Sequence, residues 1–297
     1  NRNFYFLNNL FLYFKIETQI ELVTFLLGVF LLFILFKNII ISVFIYYESF
    51  VCQNILVETS EKLFSNYLRS PFQFHLNTNS SKLVRNTHTE TDIFGSTVQS
   101  IILLISESVV TIFIISFLLY YQPFGTLIII SIFSISSFLF IFFTRSKLND
   151  YAKTRIKYTG KSLKIIMEGL LCIKDIKILN KEFHFISNLI DRLSRKKIAV
   201  IWYTFFSNIP KLFLELIIIT SVCILMFFLI IDDYSSNEIF EVIGIFVASA
   251  FRLLPSINKM QLAYHRFLWG EPSVNVIYDQ IINLNKNNLN DIQLEKN

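Results

Sequence analysis

VQSIILLISESVVTIFIISFLLY (98–120) and PFGTLIIISIFSISSFLFIFF (123–143) are two apolar runs separated only by Tyr121 and Gln122. Because backbone polar groups find no partners in hydrocarbon, only helices and closed barrels cross a bilayer, and about 20 apolar residues suffice for one helix. Each run therefore predicts a membrane-spanning helix. The two-residue connection predicts that the chain re-enters the membrane at once.

Three further apolar runs lie at 22–47, 209–231 and 239–262. The second half of the last run contains Arg252 and Lys259, so we expect it to face protein or water rather than lipid. A composition with 54% hydrophobic residues and 33 Phe would leave a soluble protein with more apolar surface than one core can bury. The predicted fold class is an all-α membrane protein, and a soluble enzyme is disfavoured.

Lys and Arg are concentrated in two long connections, with 14 between residues 145 and 197 and 4 between residues 48 and 97. None lies in the short connections at 121–122 and 232–238. By the positive-inside rule the long loops, 48–97 and 144–208, are cytoplasmic and the short ones external, with the carboxyl terminus in the cytoplasm. The net charge of +5 therefore reflects membrane topology and gives no reason to expect nucleic-acid binding.

Five spans are an odd number, which places residues 1–21 outside and the carboxyl-terminal segment inside. Because the chain starts with Asn and shows no secretory signal pattern, we expect a missing first transmembrane helix before it. Residues 1–21 would then be the external loop that follows this helix. The predicted organisation continues with a transmembrane domain at 22–266 and a cytoplasmic linker at 267–297.

The long cytoplasmic loops show helical periodicity. Two helical arms built from residues 144–208 would reach roughly 40 Å or more from the membrane, at 1.5 Å of rise per residue. An amphipathic helix lying on anionic headgroups is the alternative, which the Lys content also favours. Pro71 predicts a break at the tip of the first loop. In the second loop, apolar residues spaced three or four apart define one helical face, at Leu163, Ile166, Leu170, Ile173, Ile176, Leu179, Phe183, Ile186, Ile190 and Leu193.

The three Cys and four His residues are scattered along the chain, without CxxC spacing or a histidine cluster. Structural metal sites and disulfide frameworks require such close or paired spacing. We therefore predict neither a metal site nor a disulfide.

Two loop segments resemble the intracellular loops of ABC exporters. The first segment is LRSPFQFHLNTNSSKLVRNTHTETD (68–92). It contains the features typical of the first loop, which are a Pro, an aromatic pair, a polar turn, and a Leu and an Arg followed by an acid. MEGLLCIKDIKILNKEFHFI (167–186) resembles the second loop, in which a Glu opens the motif before an Ile-Lys-x-Ile-Lys core. EPSVNVIYDQI (271–281) is similar to the linker into the nucleotide-binding domain of that family.

The resemblance implies the ABC exporter transmembrane domain fold, with long cytoplasmic helical extensions and a family first helix that precedes Asn1. In that family each loop carries a short transverse coupling helix that docks on the nucleotide-binding domain. These helices would lie at about 70–80 and 169–178. The residues expected in them or beside them are Pro71, Phe72, Phe74, His75, Glu168, Gly169, Ile173, Lys174 and Ile176.

The resemblance also implies partners and cofactors. It predicts a nucleotide-binding domain, fused or separate, that holds ATP and Mg²⁺, and a second transmembrane half that is expected to be an identical copy. The chain has no GxxxxGK[ST] phosphate loop of its own. Its Asn, Ile, Lys and Phe bias is typical of an AT-rich bacterial genome, so the expected location is a bacterial inner membrane.

Two short segments resemble the sequences of exporters that flip lipid-linked oligosaccharides. They are FHLNTNSSKLVRN (74–86) and RLLPSINKM (252–260). The function that this resemblance implies is the permease part of an ATP-driven exporter of such a lipid, or of a related amphipathic anionic lipid. ABC exporters of drugs, peptides or glycolipids are the alternative.

Ionisable residues inside the predicted spans mark candidate cavity residues, because each costs roughly 2.5–3.5 kcal/mol at the centre of a spanning helix. We predict that Lys37, Lys211 and Arg252 form a cationic belt for an anionic headgroup, with Arg252 as a bidentate donor. As alternatives, Lys211 and Glu215 form a structural ion pair at i,i+4 spacing, or Lys37 and Lys211 extend to the membrane interface.

Two other function classes remain open. An ion- or proton-coupled carrier would use Glu107 and Glu215 as relay groups, since intramembrane carboxylates mark proton paths in many transporters. A receptor or structural membrane protein would dock a signalling partner on its cytoplasmic helices. Carriers of this kind rarely need long cytoplasmic helices, so the two long helical loops disfavour this class.

Overall fold

The computed structural model describes residues 19–121, 123–231 and 236–294, which form helices joined by short turns, with no β-strand among them. The chain divides into two compact units, Asn1–Val51 and Cys52–Asn297. In the first unit the described part is a continuous apolar helix whose side chains are largely exposed. Such a surface needs contact with lipid or with another apolar helix. The predicted external loop at 1–21 lies mostly outside the described residues.

The described helices are numbered in chain order. They are α1 Gln19–Arg69, α2 Phe72–Asn77, α3 Ser80–Val84, α4 Thr91–Tyr121, α5 Pro123–Leu171, α6 Ile173–Ile178, α7 Glu182–Ile231 and α8 Ser236–Leu294, with a π-helical turn at Arg85–Glu90 between α3 and α4.

Local sequence chemistry explains several helix ends. Pro71 has no backbone N–H and disfavours a helical conformation at Ser70, so α1 ends before it and α2 begins after it. Pro123 is the first residue of α5, where a missing N–H leaves no helical hydrogen bond unmade. Asn180 has a φ of 48°, a left-handed conformation that Asn adopts more readily than most residues, in the turn between α6 and α7.

The long helices of the second unit pack mainly in two pairs, α4 against α8 and α5 against α7, and α8 also contacts α5 and α7. One buried cluster joins Leu118 of α4, Leu225 of α7 and Phe246 of α8, all within predicted spans. A second cluster, outside the predicted spans, joins Tyr67 of α1 to Ile277 of α8. The core therefore has one part at predicted membrane depth and another in the segments predicted to be cytoplasmic.

The predicted fold class, an all-α membrane protein, is confirmed. Four helical stretches among the described residues are long and apolar enough to cross a membrane, at Val23–Arg69, Ser80–Tyr120, Glu182–Phe228 and Val242–Ile282. Several side chains in the first part of α5 lie outside the described set, so the span predicted at 123–143 stays a prediction.

The helices continue through the predicted boundaries between spans and cytoplasmic segments. At 1.5 Å per residue, the 49 residues of α5 and the 50 residues of α7 each extend about 75 Å. That length is more than twice the hydrocarbon thickness of roughly 30 Å. α8 likewise runs from the predicted last span into the predicted linker, past Pro255 and Pro272. A tilt at the cytoplasmic end of such a helix is carried along its length.

Candidate functional site

α2 lies within the predicted range 70–80 and has two different faces. Phe74 packs on Tyr67, with 6.0 Å between ring centroids, and His75 Nε2 lies 2.9 Å from the Tyr67 carbonyl oxygen. Phe72 and Leu76 are exposed. α2 is therefore fixed to the end of α1 on one side and presents two large apolar side chains on the other.

α6 lies within the second predicted range, 169–178, and is also a six-residue helix. Ile176 is buried, whereas Ile173 and Lys174 are exposed. α6 thus has the same arrangement as α2, with an anchoring apolar residue inside and apolar residues outside.

The predicted residues Glu168 and Gly169 lie in the last turn of α5, before α6 begins. The Glu168 carboxylate is 3.6 Å from Lys164 Nζ, a pair exposed to solvent. A Cβ at Gly169 would lie 3.4 Å from the ring of Phe185 on α7, which is ordinary contact distance. Gly169 therefore lies at the contact between α5 and α7 in the second arm, whereas the ion pair of Glu168 lies within α5.

The tip of this second arm exposes a group of large apolar side chains. The apolar periodicity predicted for 162–193 is present, but it is divided among the end of α5, α6 and the start of α7, and this chain leaves most of it uncovered. Because the group lies outside the predicted spans, a protein partner accounts for it better than the bilayer core. Its exposed members are Leu170, Leu171, Ile173, Ile178, Leu179 and Phe183.

The most deeply buried charged group in this part of the structure is Glu90, the last residue of the π-helical turn. Its side chain is 0% exposed. Ser273 of α8 donates a hydrogen bond to Glu90 Oε2 at 2.6 Å, and Nη2 of Arg155 on α5 lies 3.4 Å from the same oxygen. Arg85 Nε lies 3.5 Å from Oε1, close enough for an ion pair although too poorly aligned for a hydrogen bond. We call these four residues the Glu90 junction.

The Glu90 junction is extended by a chain of polar contacts from the π-helical turn to the end of α8. Arg85 Nη2 donates to Asn86 Oδ1 at 2.9 Å, and Asn86 Nδ2 donates to the Tyr67 hydroxyl at 3.3 Å. That hydroxyl in turn donates to Gln280 Oε1 at 3.3 Å. Single-turn π segments are rare and are frequent at functional sites, and this one presents two charged side chains to the same junction.

Arg155 is held in the Glu90 junction by three kinds of contact. It donates to Ser273 Oγ at 2.6 Å, pairs with Glu90, and lies with its guanidinium 5.1 Å from the centre of the Trp269 ring. Burial lowers the pKa of the Arg155 guanidinium from its ordinary value, and the Glu90 carboxylate opposes that shift. Arg nevertheless keeps its charge at any physiological pH. Two cations therefore share one buried carboxylate.

Two glycines permit the close packing around the junction. A Cβ at Gly160 of α5 would lie 2.7 Å from Arg85 Nη1, too close for any ordinary contact. A Cβ at Gly270 of α8 would clash with the Thr97 hydroxyl on α4. Side chains at these positions would push α5 away from the π-helical turn and α8 away from α4.

The predicted cavity cations lie on long helices, and their assembly into a belt stays a prediction. Lys37 lies exposed on α1 in the first unit, so its place relative to the others stays a prediction. Lys211 on α7 and Arg252 on α8 are both exposed. Glu215 is half-buried, and among the described residues it forms no ion pair with Lys211, four residues earlier.

A charge pair that the sequence did not reveal joins α4 and α8 at predicted membrane depth. Lys259 Nζ donates to Glu107 Oε1 at 2.8 Å, across 152 residues of sequence. The Glu107 side chain is 9% exposed and that of Lys259 52%. Glu107 was predicted as a relay group of a carrier, and its pairing with Lys259 supports a structural role instead. The sequence does show that both residues are ionisable groups within predicted spans. Helical periodicity, however, does not show which helices pack against each other, so the pair could not be predicted.

A cavity of about 420 Å³ lies between α4, α5, α7 and α8. Its described wall is mostly apolar, with scattered hydroxyls such as Ser134 and Ser249, and with Gln261 and Tyr264 of α8. Neither Lys211 nor Arg252 lines it. The volume falls within the roughly 300–1,000 Å³ that is typical of small-molecule sites.

Metal binding finds no support among the residues that the structure describes, since they include no group of three or more His, Cys, Asp or Glu side chains able to hold an ion. Of the cysteines there, Cys172 and Cys223 are free thiols.

The family described as ABC transporter transmembrane region matches residues 5–249 of the chain. Among solved structures, the chain is similar to one described as "Structure of a bacterial Atm1-family ABC exporter with ATP bound", with a TM-score of 0.66 and 13% sequence identity. The similarity covers 88% of this chain and 45% of the other, so this chain spans less than half of that exporter. At this identity the similarity establishes a shared fold, and it carries no information about cargo.

Proposed function

The chain belongs to the ABC transporter transmembrane region family, and on this premise we propose that it is the membrane permease part of an ATP-driven exporter. The observation that carries the proposal is the pair of short helices α2 and α6, which lie outside the predicted spans and expose Phe72, Leu76 and Ile173. Apolar side chains in such a place favour contact with a soluble protein surface. That partner is a nucleotide-binding domain, fused to this chain or separate from it.

ATP and Mg²⁺ belong to the nucleotide-binding domain in this proposal, and hydrolysis there supplies the energy for transport. The 297 residues of this chain contain no GxxxxGK[ST] loop that would cradle the phosphates. The chain's own contribution is mechanical. It holds α2 and α6 as docking elements at the ends of long helices and passes their displacement toward the membrane.

The Glu90 junction is the route that we propose for this displacement. α2 and α3 precede the π-helical turn directly, and Glu90 connects that turn to Arg155 of α5 and Ser273 of α8. A push on α2 would therefore move the cytoplasmic parts of α5 and α8 together. Because both helices continue into the predicted spans, their tilt would change the packing at membrane depth.

A second transmembrane half completes the exporter in this proposal, and we take it to be another copy of this chain. Large apolar side chains on the membrane-depth faces of α4 and α5, such as Phe117 and Phe142, are exposed and available to that copy or to lipid. The proposed setting is a bacterial inner membrane, with the carboxyl terminus in the cytoplasm.

The cargo that we propose is a lipid-linked oligosaccharide or a related amphipathic anionic lipid. Lys211 and Arg252 are exposed at predicted membrane depth, and neither forms an ion pair within the described part of the chain. Unpaired cations in such a place favour an anionic headgroup, and an Arg can bind phosphate oxygens with two parallel hydrogen bonds. Exporters of drugs, peptides or glycolipids are the second candidate, which the mostly apolar cavity of about 420 Å³ favours.

The docking surface is tested with the full-length transporter, together with its nucleotide-binding domain, in liposomes. We expect Phe72→Asp to lower ATP-driven transport of a fluorescent lipid-linked oligosaccharide by about 30-fold, since a buried aromatic anchor contributes about 2 kcal/mol or more to an interface. Phe64→Asp is the matched control, because Phe64 is equally aromatic and exposed on α1 but lies before the short helices. Equal transport by the Phe72→Asp and wild-type proteins would remove the proposed docking role.

A second arm of the same experiment tests the cargo. Arg252→Gln is expected to abolish transport of the pyrophosphate lipid while assembly and ATP hydrolysis stay normal. Arg266→Gln, an exposed Arg on the same helix beyond the predicted span, is the control and should transport normally. If Arg252→Gln transports the pyrophosphate lipid as well as wild type does, the anionic-lipid proposal is wrong, whereas the docking proposal is unaffected.

A further inference from the structure

A row of lysines lies on one face of α5, beyond the predicted span. Residues 151–167 contain no Asp or Glu, and their exposed cations are spaced four, four and three residues apart. This spacing places all of them on one helical face, at intervals of about 6, 6 and 4.5 Å along the helix axis. We call this row the lysine stripe, and its members are Lys153, Lys157, Lys161 and Lys164.

The lysine stripe has little counter-charge from its own chain. Lys153, Lys157 and Lys161 form no ion pair within the described residues, and Lys164 has a solvent-exposed contact with Glu168 at 3.6 Å. Like charges three or four residues apart destabilise a helix. α5 therefore carries a charge arrangement that disfavours its own helical conformation. Such an arrangement favours an anion that is supplied by a partner.

Tyr158 holds the middle of the lysine stripe close to a cation of α7. The centre of its ring lies 6.0 Å from Lys157 Nζ, 5.6 Å from Lys161 Nζ and 6.0 Å from the Arg195 guanidinium. Asp191 pairs with Arg195 at 3.2 Å, so the charges of the two lysines are not neutralised by it. Positive potential is therefore concentrated at the centre of the stripe.

Membrane topology and the bilayer surface do not account for the lysine stripe. The positive-inside rule depends on the number of cations near a span, and not on their placement on one helical face. α5 is one continuous helix from the predicted span into this region, so the stripe cannot lie flat on the headgroups. Lys157 and Lys161 lie about 21 and 27 Å along α5 from the predicted span end at 143, beyond the screening length of roughly 8 Å in physiological salt.

A straight row of point charges fits an acidic helix better than a nucleic acid. Single-stranded nucleic acids bind through stacking of their bases on aromatic rings, but the Tyr158 ring is half-buried and in contact with three cations. A helix with carboxylates at the same spacing of four, four and three residues would place one opposite each lysine. Rows of Lys and Glu on neighbouring helices select partners in this way in coiled coils.

We infer that the lysine stripe is a docking surface for an acidic helix of a soluble protein, on the cytoplasmic side in the predicted topology. The partner contributes a row of Glu or Asp side chains at the matching spacing. Because the charges are exposed, the contact is weak and depends strongly on salt. The surface uses none of the residues assigned above to the nucleotide-binding domain or to the cargo, so it goes beyond the proposed exporter function.

Peptide binding tests this inference on the full-length protein in phosphatidylcholine nanodiscs at low ionic strength. The probe is a fluorescent alanine-based helical peptide whose glutamates have the spacing of the lysine stripe. The control peptide has the same composition, with its glutamates distributed around the helix. Fluorescence anisotropy should show about tenfold weaker binding of the control peptide, because fewer of its carboxylates face the lysines. Equal binding of the two peptides would overturn the inference.

Three double variants locate the contact. Lys157→Gln with Lys161→Gln should weaken binding of the matched peptide about fivefold. Lys62→Gln with Lys82→Gln removes the same charge from exposed positions on α1 and α3, and this protein should bind the peptide as tightly as wild type. Lys157→Arg with Lys161→Arg keeps the charge and should also bind as tightly as wild type, which separates loss of charge from loss of structure.

Three other outcomes would also overturn the inference. The first is that wild type does not bind the matched peptide. The second is that the glutamine variant of the stripe binds this peptide as tightly as wild type, which would place the contact elsewhere. The third is that a single-stranded RNA of equal net charge binds the stripe more tightly than the peptide does. The assay needs no ATP and no cargo, so failure of the proposed exporter activity would not change its result.

Discussion

Two carboxylates, Glu90 and Glu107, are paired with cations in this molecule, and their surroundings differ. Glu90, outside the predicted spans, is fully buried and contacts Arg85, Arg155 and Ser273 from three elements. Glu107, at predicted membrane depth, has one ion-pair partner, Lys259, whose side chain is half exposed. One site joins three elements, and the other joins only α4 and α8.

The difference matters because the cost of removing a partner depends on what stays behind. A charge left in a buried site without a counter-charge costs several kcal/mol, whereas one left near solvent costs little. The Glu90 junction is thus suited to move as one body. The pair between α4 and α8 is suited to open when those helices separate. The following three substitutions test this contrast, in order of decreasing effect.

Glu90→Gln should have the largest effect. It keeps the shape of the side chain but leaves two buried Arg residues without their anion, at a cost of about 3–5 kcal/mol. His88→Gln is the control, because His88 lies on the same π-helical turn and its contact with Asp92 of α4 is exposed. Thermal unfolding of the full-length protein in detergent measures both. Equal stability of the two variants would contradict a three-way junction at Glu90.

The Glu107–Lys259 pair should respond asymmetrically. Lys259→Met leaves a nearly buried carboxylate and should cost about 1–3 kcal/mol. Glu107→Gln leaves a half-exposed ammonium group on the part of α8 that we expect to face protein or water, and it should cost less than about 1 kcal/mol. The double variant gives the coupling energy of the pair under the same unfolding conditions. If Glu107→Gln is the more harmful single change, the exposures of the two side chains do not control the cost.

Lys177→Gln should have the smallest effect. The Lys177 ammonium lies 2.9 Å from the Glu182 carboxylate beside α6, but both side chains are exposed. Despite the short distance, such an exposed pair contributes little to stability. The same melting experiment should place this variant within error of wild type. A loss comparable with that of Glu90→Gln would mean that distance rather than burial controls these ion pairs.

Sequence reasoning worked where the cause is local. The apolar runs predicted helices, Pro71 predicted the break between α1 and α2, and each predicted docking range contains a short helix. α6 begins four residues after the start of the second predicted range, since Glu168 and Gly169 show no signal that would end α5 before Cys172, and the docking role of both short helices stays a prediction. The motif in the first loop contains an Arg followed by an acid, yet nothing in it points to Arg155 or Ser273.

The sequence by itself determined that this chain is helical and that it belongs in a membrane, and it predicts which segments are cytoplasmic. Hydropathy, charge bias and proline act over a few residues, so they can be read directly along the chain. Tertiary structure alone decided that Glu90 meets Ser273 across 183 residues and that Glu107 meets Lys259 across 152. It also decided that four helices line a mostly apolar cavity. These features depend on how distant helices rotate and cross, and the packing of the whole bundle fixes that geometry.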